Sequence, residues 1–168
     1  MAQLAATAVA MINGPIQQVY DALIDYRETR PKLLTAEFAD YEVRADDEVH
    51  WTIALDEAIR NKRGKKPKKQ KGPPRECLVR VEAGENSIVE RDTTSSLVTT
   101  WTMSDAGDDR TAVRVEANWE GPDGFGALMS RQKEQLALRS VYEGLLTNLH
   151  TYFDELPKDP EPEDGQEP

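Results

Sequence analysis

The chain has 168 residues with 21 basic and 31 acidic side chains, a formal charge of −10. That length suits one domain with a sizeable core, and no run of about 18 apolar residues offers a helical membrane span. One cysteine, Cys77, and two histidines, His50 and His150, exclude an internal disulfide, a zinc–thiolate site and a His-rich metal centre.

Met1 to Ile12 is apolar, but it lacks a basic leader and runs straight into Asn13-Gly14-Pro15. It reads as a poor signal peptide and a good first strand, over Leu4 to Ile12, and the expected compartment is the cytoplasm. Pro15 suits the start of a helix, where its missing N–H costs nothing. Ile16, Val19, Tyr20, Leu23 and Ile24 then recur at helical spacing, with the helix ending near Tyr26. Pro31 opens a short second helix with Leu33 and Leu34.

The period then changes to two. Phe38 to Ala45 reads as one strand and Val49 to Ile59 as a longer one, with Val49, Trp51, Ile53 and Leu55 in phase. Alternation places His50 on the opposite, solvent face. Arg60 to Arg75 carries nine basic residues and no acid, leaving 12 basic against 31 acidic elsewhere. Lys62 to Arg75 reads as a basic hairpin insertion. Cys77, Val79 and Val81 resume the alternation, Ser87 to Arg91 is a short strand, and Leu97 to Met103 follows. Asp105 to Asp109 makes a turn. Thr111 to Trp119 ends the series.

Gly121-Pro122-Asp123-Gly124 breaks the pattern, and Phe125 to Leu156 returns to helical spacing for about 30 residues, or about 45 Å. Pro157 stops this helix. Residues 157–168 hold four prolines and five acids and no large apolar side chain, the composition of a disordered acidic tail. The expected fold is α+β: a curved seven-stranded antiparallel sheet around a long C-terminal helix, with two short helices after the first strand. Residues 1–156 form the domain. The stripe on the long helix is weakest between Leu128 and Leu138, where a cavity would suit a small molecule.

Pro15-x-x-x-Val19-Tyr20-Asp21-x-Leu23-x-Asp25-Tyr26 followed by Pro31-x-Leu33 resembles the N-terminal signature of the START-like helix-grip superfamily (SRPBCC). The polyketide cyclase/dehydrase and lipid-transport branch is the nearest in style. Glu90-Arg91-Asp92, Thr99-Thr100-Trp101, Trp119-Glu120-Gly121 and Arg139-x-x-Tyr142-x-x-x-Leu146-x-x-Leu149 continue the resemblance, which covers Leu4 to Leu156. The family pattern has a tryptophan shortly after the proline matched by Pro31, where this chain has Lys32 and Leu33. The resemblance implies an apolar or amphipathic ligand (a lipid, polyketide or isoprenoid) held between helix and sheet. It implies no cofactor, and no catalytic motif transfers with it, so binding or transport is expected ahead of a cyclase or dehydratase reaction.

Trp51, Trp101 and Trp119 occupy inward positions, as pocket wall or as ordinary core. Ile53 and Met103 share their phase. Leu128, Arg131, Gln135 and Tyr142 complete the candidate ligand-binding set from the helix. Arg131 and Arg139 lie about two turns apart, and one could hold an acidic ligand group; a surface ion pair with Glu134 or Glu143 is the plainer reading. Tyr26 and Tyr41 could add hydroxyls. Glu90 and Arg91 are adjacent on a strand, so one must face inward and find a partner. Cys77 reads as a small buried hydrophobe. The basic insertion has no aromatic residue for base stacking, so a solvated hairpin tip or pairing with the acidic tail ranks first, an anionic membrane surface second and nucleic acid third.

Overall fold

The structure is a computed structural model describing residues 2–55, 74–121, 123–124 and 127–157. Among these, period-two stretches become seven strands and period-3.6 stretches three helices. In chain order they are β1 (Ala2–Ile12), α1 (Ile16–Ile24), α2 (Arg30–Leu33), β2 (Phe38–Ala45), β3 (Glu48–Ile53), β4 (Arg75–Gly84), β5 (Ser87–Asp92), β6 (Val98–Gly107), β7 (Arg110–Gly121) and α3 (Ala127–Glu155). Most of the basic insertion, residues 62–73, lies outside the described residues, as do residues 158–168 of the acidic tail.

All seven strands form one antiparallel sheet in the order β1-β7-β6-β5-β4-β3-β2. Consecutive strands from β2 to β7 are neighbours, and β1 closes the order beside β7. Helix α3, 29 residues and about 44 Å long, packs most extensively on β1. This is the helix-grip α+β architecture expected from the order of elements.

Turn chemistry sets the register. Asp108 and Asp109 both take positive φ (53° and 55°) between paired Gly107 and Arg110, the two-residue turn whose twist suits a hairpin. Gly14 ends β1 where a Cβ would stand 2.6 Å from the Phe153 ring, so only glycine lets the β1–α1 corner meet the C-terminal end of α3.

Two expectations need correction. The strand expected to run from Val49 to Ile59 is described only as far as Ile53, and residues 56–59 lie outside the described residues. His50 does not face open solvent: its residue exposure is 8 %. The cause is a register shift in β2 between Ala39 and Glu42, where Asp40 takes a positive φ of 52°. The Asp40 carbonyl there lies 3.0 Å from His50 Nδ1, while Nε2 lies 3.1 Å from Glu76 Oε1.

The core is largely hydrocarbon. Ile12, Val19, Leu23, Val113 and Val115 are at most 1 % exposed. Burial along α3 begins only at Ala137 and continues through Leu138, Val141, Tyr142, Leu145, Leu146, Leu149 and Phe153. The first ten residues of that helix are not buried, which matches their poverty in large apolar side chains.

Candidate functional site

Inward-pointing residues of β3 to β6 and the middle of α3 enclose a narrow cleft. Its sheet wall comprises Trp51 and Ile53 from β3, Cys77 and Val79 from β4, Glu90 and Asp92 from β5, and Thr99 from β6, with Leu97 just before β6. Tyr142 and Leu145 supply the helix wall. Half-buried Leu34, Phe38 and Tyr41, from the α2–β2 segment, form the solvent side. Tyr41 stacks on Trp51 with ring centres 6.2 Å apart and planes 4° from parallel, and Phe38 meets Trp51 edge-on at 6.0 Å. The cavity volume of the cleft is only about 20 Å³. In this conformation it holds about one water.

A buried ion pair lies at the inner end. Arg30 Nη2 donates to Glu90 Oε1 at 2.6 Å, and both side chains are 4 % exposed. Tyr26 Oη donates to the same oxygen at 2.6 Å. Arg30 Nη1 donates to the Leu23 carbonyl at 2.9 Å. The guanidinium also stands over the Trp101 and Tyr26 rings, at 4.6 and 5.0 Å from their centres. Burial alone would lower the Arg30 pKa, but the adjacent Glu90 carboxylate and the tyrosines hold it above its ordinary value. Burial, reinforced by Glu90, raises the Tyr26 pKa well above its ordinary value.

Asp92, on the same face of β5, is held differently. Its Oδ1 accepts from the Leu78 and Thr94 backbone N–H groups at 3.1 and 3.0 Å and from the Thr94 hydroxyl at 2.8 Å. Its Oδ2 accepts from the Ser95 hydroxyl at 2.6 Å. Four donors on one carboxylate fix the β5–β6 turn. Arg75 ties that turn to the helix, donating to Glu134 at 2.9 Å and to Ser95 Oγ at 3.1 Å.

Two hydroxyls complete the lining. Thr99 Oγ1 and Tyr142 Oη lie 2.7 Å apart, both residues buried, with Tyr142 edge-on to Trp101 at 6.1 Å. Burial raises the Tyr142 and Tyr41 pKa values. Burial also pushes the Cys77 thiol up to about 12, with the neighbouring Asp92 charge acting in the same direction. Cys77 is therefore an inert buried thiol.

Of the expected ligand-contacting residues, Trp51, Ile53 and Tyr142 border the cleft. Trp101, Met103 and Trp119 are buried at 1–3 % exposure, and Trp101 braces Arg30 and Tyr142. Leu128 is 56 % exposed. Gln135 donates to the Ala5 carbonyl on β1 at 3.2 Å, and Arg131 packs beside Gly121 at the end of β7. The cleft thus lies against the middle of α3, one to two turns beyond the segment marked by its weak stripe. Arg139 pairs with Glu143 on the surface at 3.0 Å. Sequence reasoning missed Arg30, whose partner lies 60 residues away in the chain. It left Glu90 and Arg91 unresolved, although Ile88, Glu90 and Asp92 share the buried phase of β5.

No protein-family model and no curated protein matches the chain. Solved structures do. The KanY protein (ms6282), solved by NMR, superposes with a TM-score of 0.73 at 24 % identity over 92 % of this chain and 99 % of that one. The Zhui aromatase/cyclase from Streptomyces sp. R1128 gives 0.70 at 9 % identity, covering 91 % and 94 % of the two chains. A START superfamily protein from Mycobacterium smegmatis gives 0.63 at 10 % identity, covering 88 % and 98 %. At these identities the likeness establishes the architecture: the chain has the START-like (SRPBCC) helix-grip fold.

Proposed function

We propose that the protein binds an apolar or amphipathic small molecule in the cleft between α3 and strands β3 to β6. The observation that carries this reading is the cleft itself, an aromatic and aliphatic passage that ends on a few buried polar groups. The shared fold adds to it, since one structural neighbour is described as an aromatase/cyclase. Trp51, Ile53, Tyr142, Phe38 and Tyr41 are the proposed contact residues. The space present would have to widen for a ligand. Phe38 and Tyr41 are the groups to displace, because they are half-buried and sit on an edge strand with two register shifts.

Binding is favoured over catalysis by the polar inventory. Glu90 is engaged by Arg30 and Tyr26, Asp92 by the turn it caps, and Cys77 is held as a thiol. Each charged side chain of the described lining thus has at least one fixed partner. Native mass spectrometry of protein purified without denaturation tests the reading. A co-purified mass, lost on replacing Trp51 and Tyr142, is expected. Absence of any adduct, with no thermal stabilisation by aromatic or alkyl ligands, would overturn it. Conversion of a bound polyketide, seen as loss of water, would favour a cyclase role instead.

A further inference from the structure

We propose that the cleft takes ligands whose buried end is an uncharged hydrogen-bond acceptor, such as a carbonyl or hydroxyl oxygen, and excludes carboxylates and phosphates of the same shape. This rests on the binding role above and names the chemical class it serves.

The first part follows from counting protons. Thr99 and Tyr142 carry two hydroxyl hydrogens between them, and their mutual bond uses one. Neither hydroxyl has another partner among the described residues, so one O–H is left to donate. Trp51 adds a second donor. Its indole N–H is buried with no oxygen or nitrogen acceptor among the described residues and meets only the thiol paired with it across the ladder, Cys77, a weak acceptor. Buried donors without acceptors are costly, and a ligand oxygen would relieve them.

The second part follows from charge. Among the described lining residues one cation, Arg30, faces two carboxylates, Glu90 and Asp92. The charge of Arg30 is already matched by Glu90. One of its terminal nitrogens is bonded to Glu90 and the other to the Leu23 carbonyl, and the Trp101 and Tyr26 rings lie against the guanidinium. A carboxylate entering the cleft would lose its hydration, gain no unpaired cation and approach two like charges.

The test uses the full-length protein at neutral pH and three ligands on one skeleton: 2-acetylnaphthalene, 2-naphthoate and naphthalene. Binding is read by tryptophan fluorescence and by calorimetry. The ketone is expected to bind at least about tenfold more tightly than the carboxylate. It should also exceed naphthalene by about three- to tenfold, the value of a hydrogen bond. That margin over naphthalene should survive in Tyr142→Phe and in Thr99→Val, which each leave one free hydroxyl hydrogen, and shrink when the two are combined, with each variant checked for native circular dichroism. Naphthoate binding as tightly as the ketone overturns the charge argument. A ketone no better than naphthalene overturns the donor argument. Each of those results leaves the binding role standing, whereas failure of all three ligands overturns both proposals.

Discussion

The two sides of the sheet are built for different ends. Around β1, β7 and α1 the interior is hydrocarbon: Ile12, Val19, Val113, Val115 and Ala117 are fully buried. Its buried polar exception, Thr111, donates to the Gly14 carbonyl at 2.8 Å. Around β3 to β6 the same inward phase carries Glu90, Asp92 and Thr99 opposite Arg30 and Tyr142, with space left over. Burying apolar area stabilises directly, at about 25 cal/mol per Å². Burying an ion pair roughly breaks even, because desolvation offsets the attraction. The hydrocarbon side therefore holds the fold, and the polar side carries a chemistry that stability alone would not select.

Alkaline pH should expose this division most strongly. Tyr26, Tyr142 and Cys77, all buried on the polar side, stay protonated in the fold above their ordinary values. In the unfolded chain they ionise near their ordinary values. The unfolded state then binds fewer protons, so stability is full below about pH 9 and is lost as pH rises. The loss grows through about pH 11, as the unfolded chain ionises at all three positions while the fold holds them protonated. Urea midpoints across this range should fall steeply, and amide exchange should quicken in β4 and β5 before β1 and β7. A flat profile would contradict the burial of these groups.

Next in size is the ion pair. Glu90→Ala leaves Arg30 buried and unpaired, and should lower stability by about 3–5 kcal/mol. The paired replacement Arg30→Met with Glu90→Leu should recover much of that, measured as a double-mutant cycle by chemical denaturation. On the hydrocarbon side Ile12→Ala should cost about 2–5 kcal/mol through its cavity. It should leave ligand affinity unchanged, because Ile12 does not border the cleft. A change in affinity there would mean that the two sides are coupled.

The sequence disclosed the two sides unequally, for a physical reason. Period-two alternation on strands and the 3.6 period on the helix mark inward positions whatever their partners, so Trp51, Ile53 and Tyr142 were legible, as were the seven strands and the long helix. The weak stripe on α3 was also legible, but it marks a stretch of the helix that is not buried rather than the cleft. Arg30 was not legible: beside Pro31 it looks like any basic residue at the start of a helix. What makes it special is Glu90 on β5, brought there by the sheet order. His50 shows the same limit. Parity put it on the outer face correctly, but the bulge at Asp40 that covers it leaves no signal in the alternation of β3.

The smallest expected effect isolates burial as the deciding variable. Arg139 and Glu143 are the same chemical pair as Arg30 and Glu90, at 3.0 Å instead of 2.6 Å, but their side chains are 60 % and 43 % exposed. Water screens the attraction, and the two side chains give up rotamer freedom to meet one turn apart on α3. Arg139→Ala should therefore change stability by less than about 0.5 kcal/mol, and less still at high salt. It should leave the ketone-to-carboxylate preference untouched, because Arg139 is outside the cleft lining. If this exposed substitution matched the loss seen in Glu90→Ala, the contrast would rest on the guanidinium–carboxylate contact rather than on where the fold buries it.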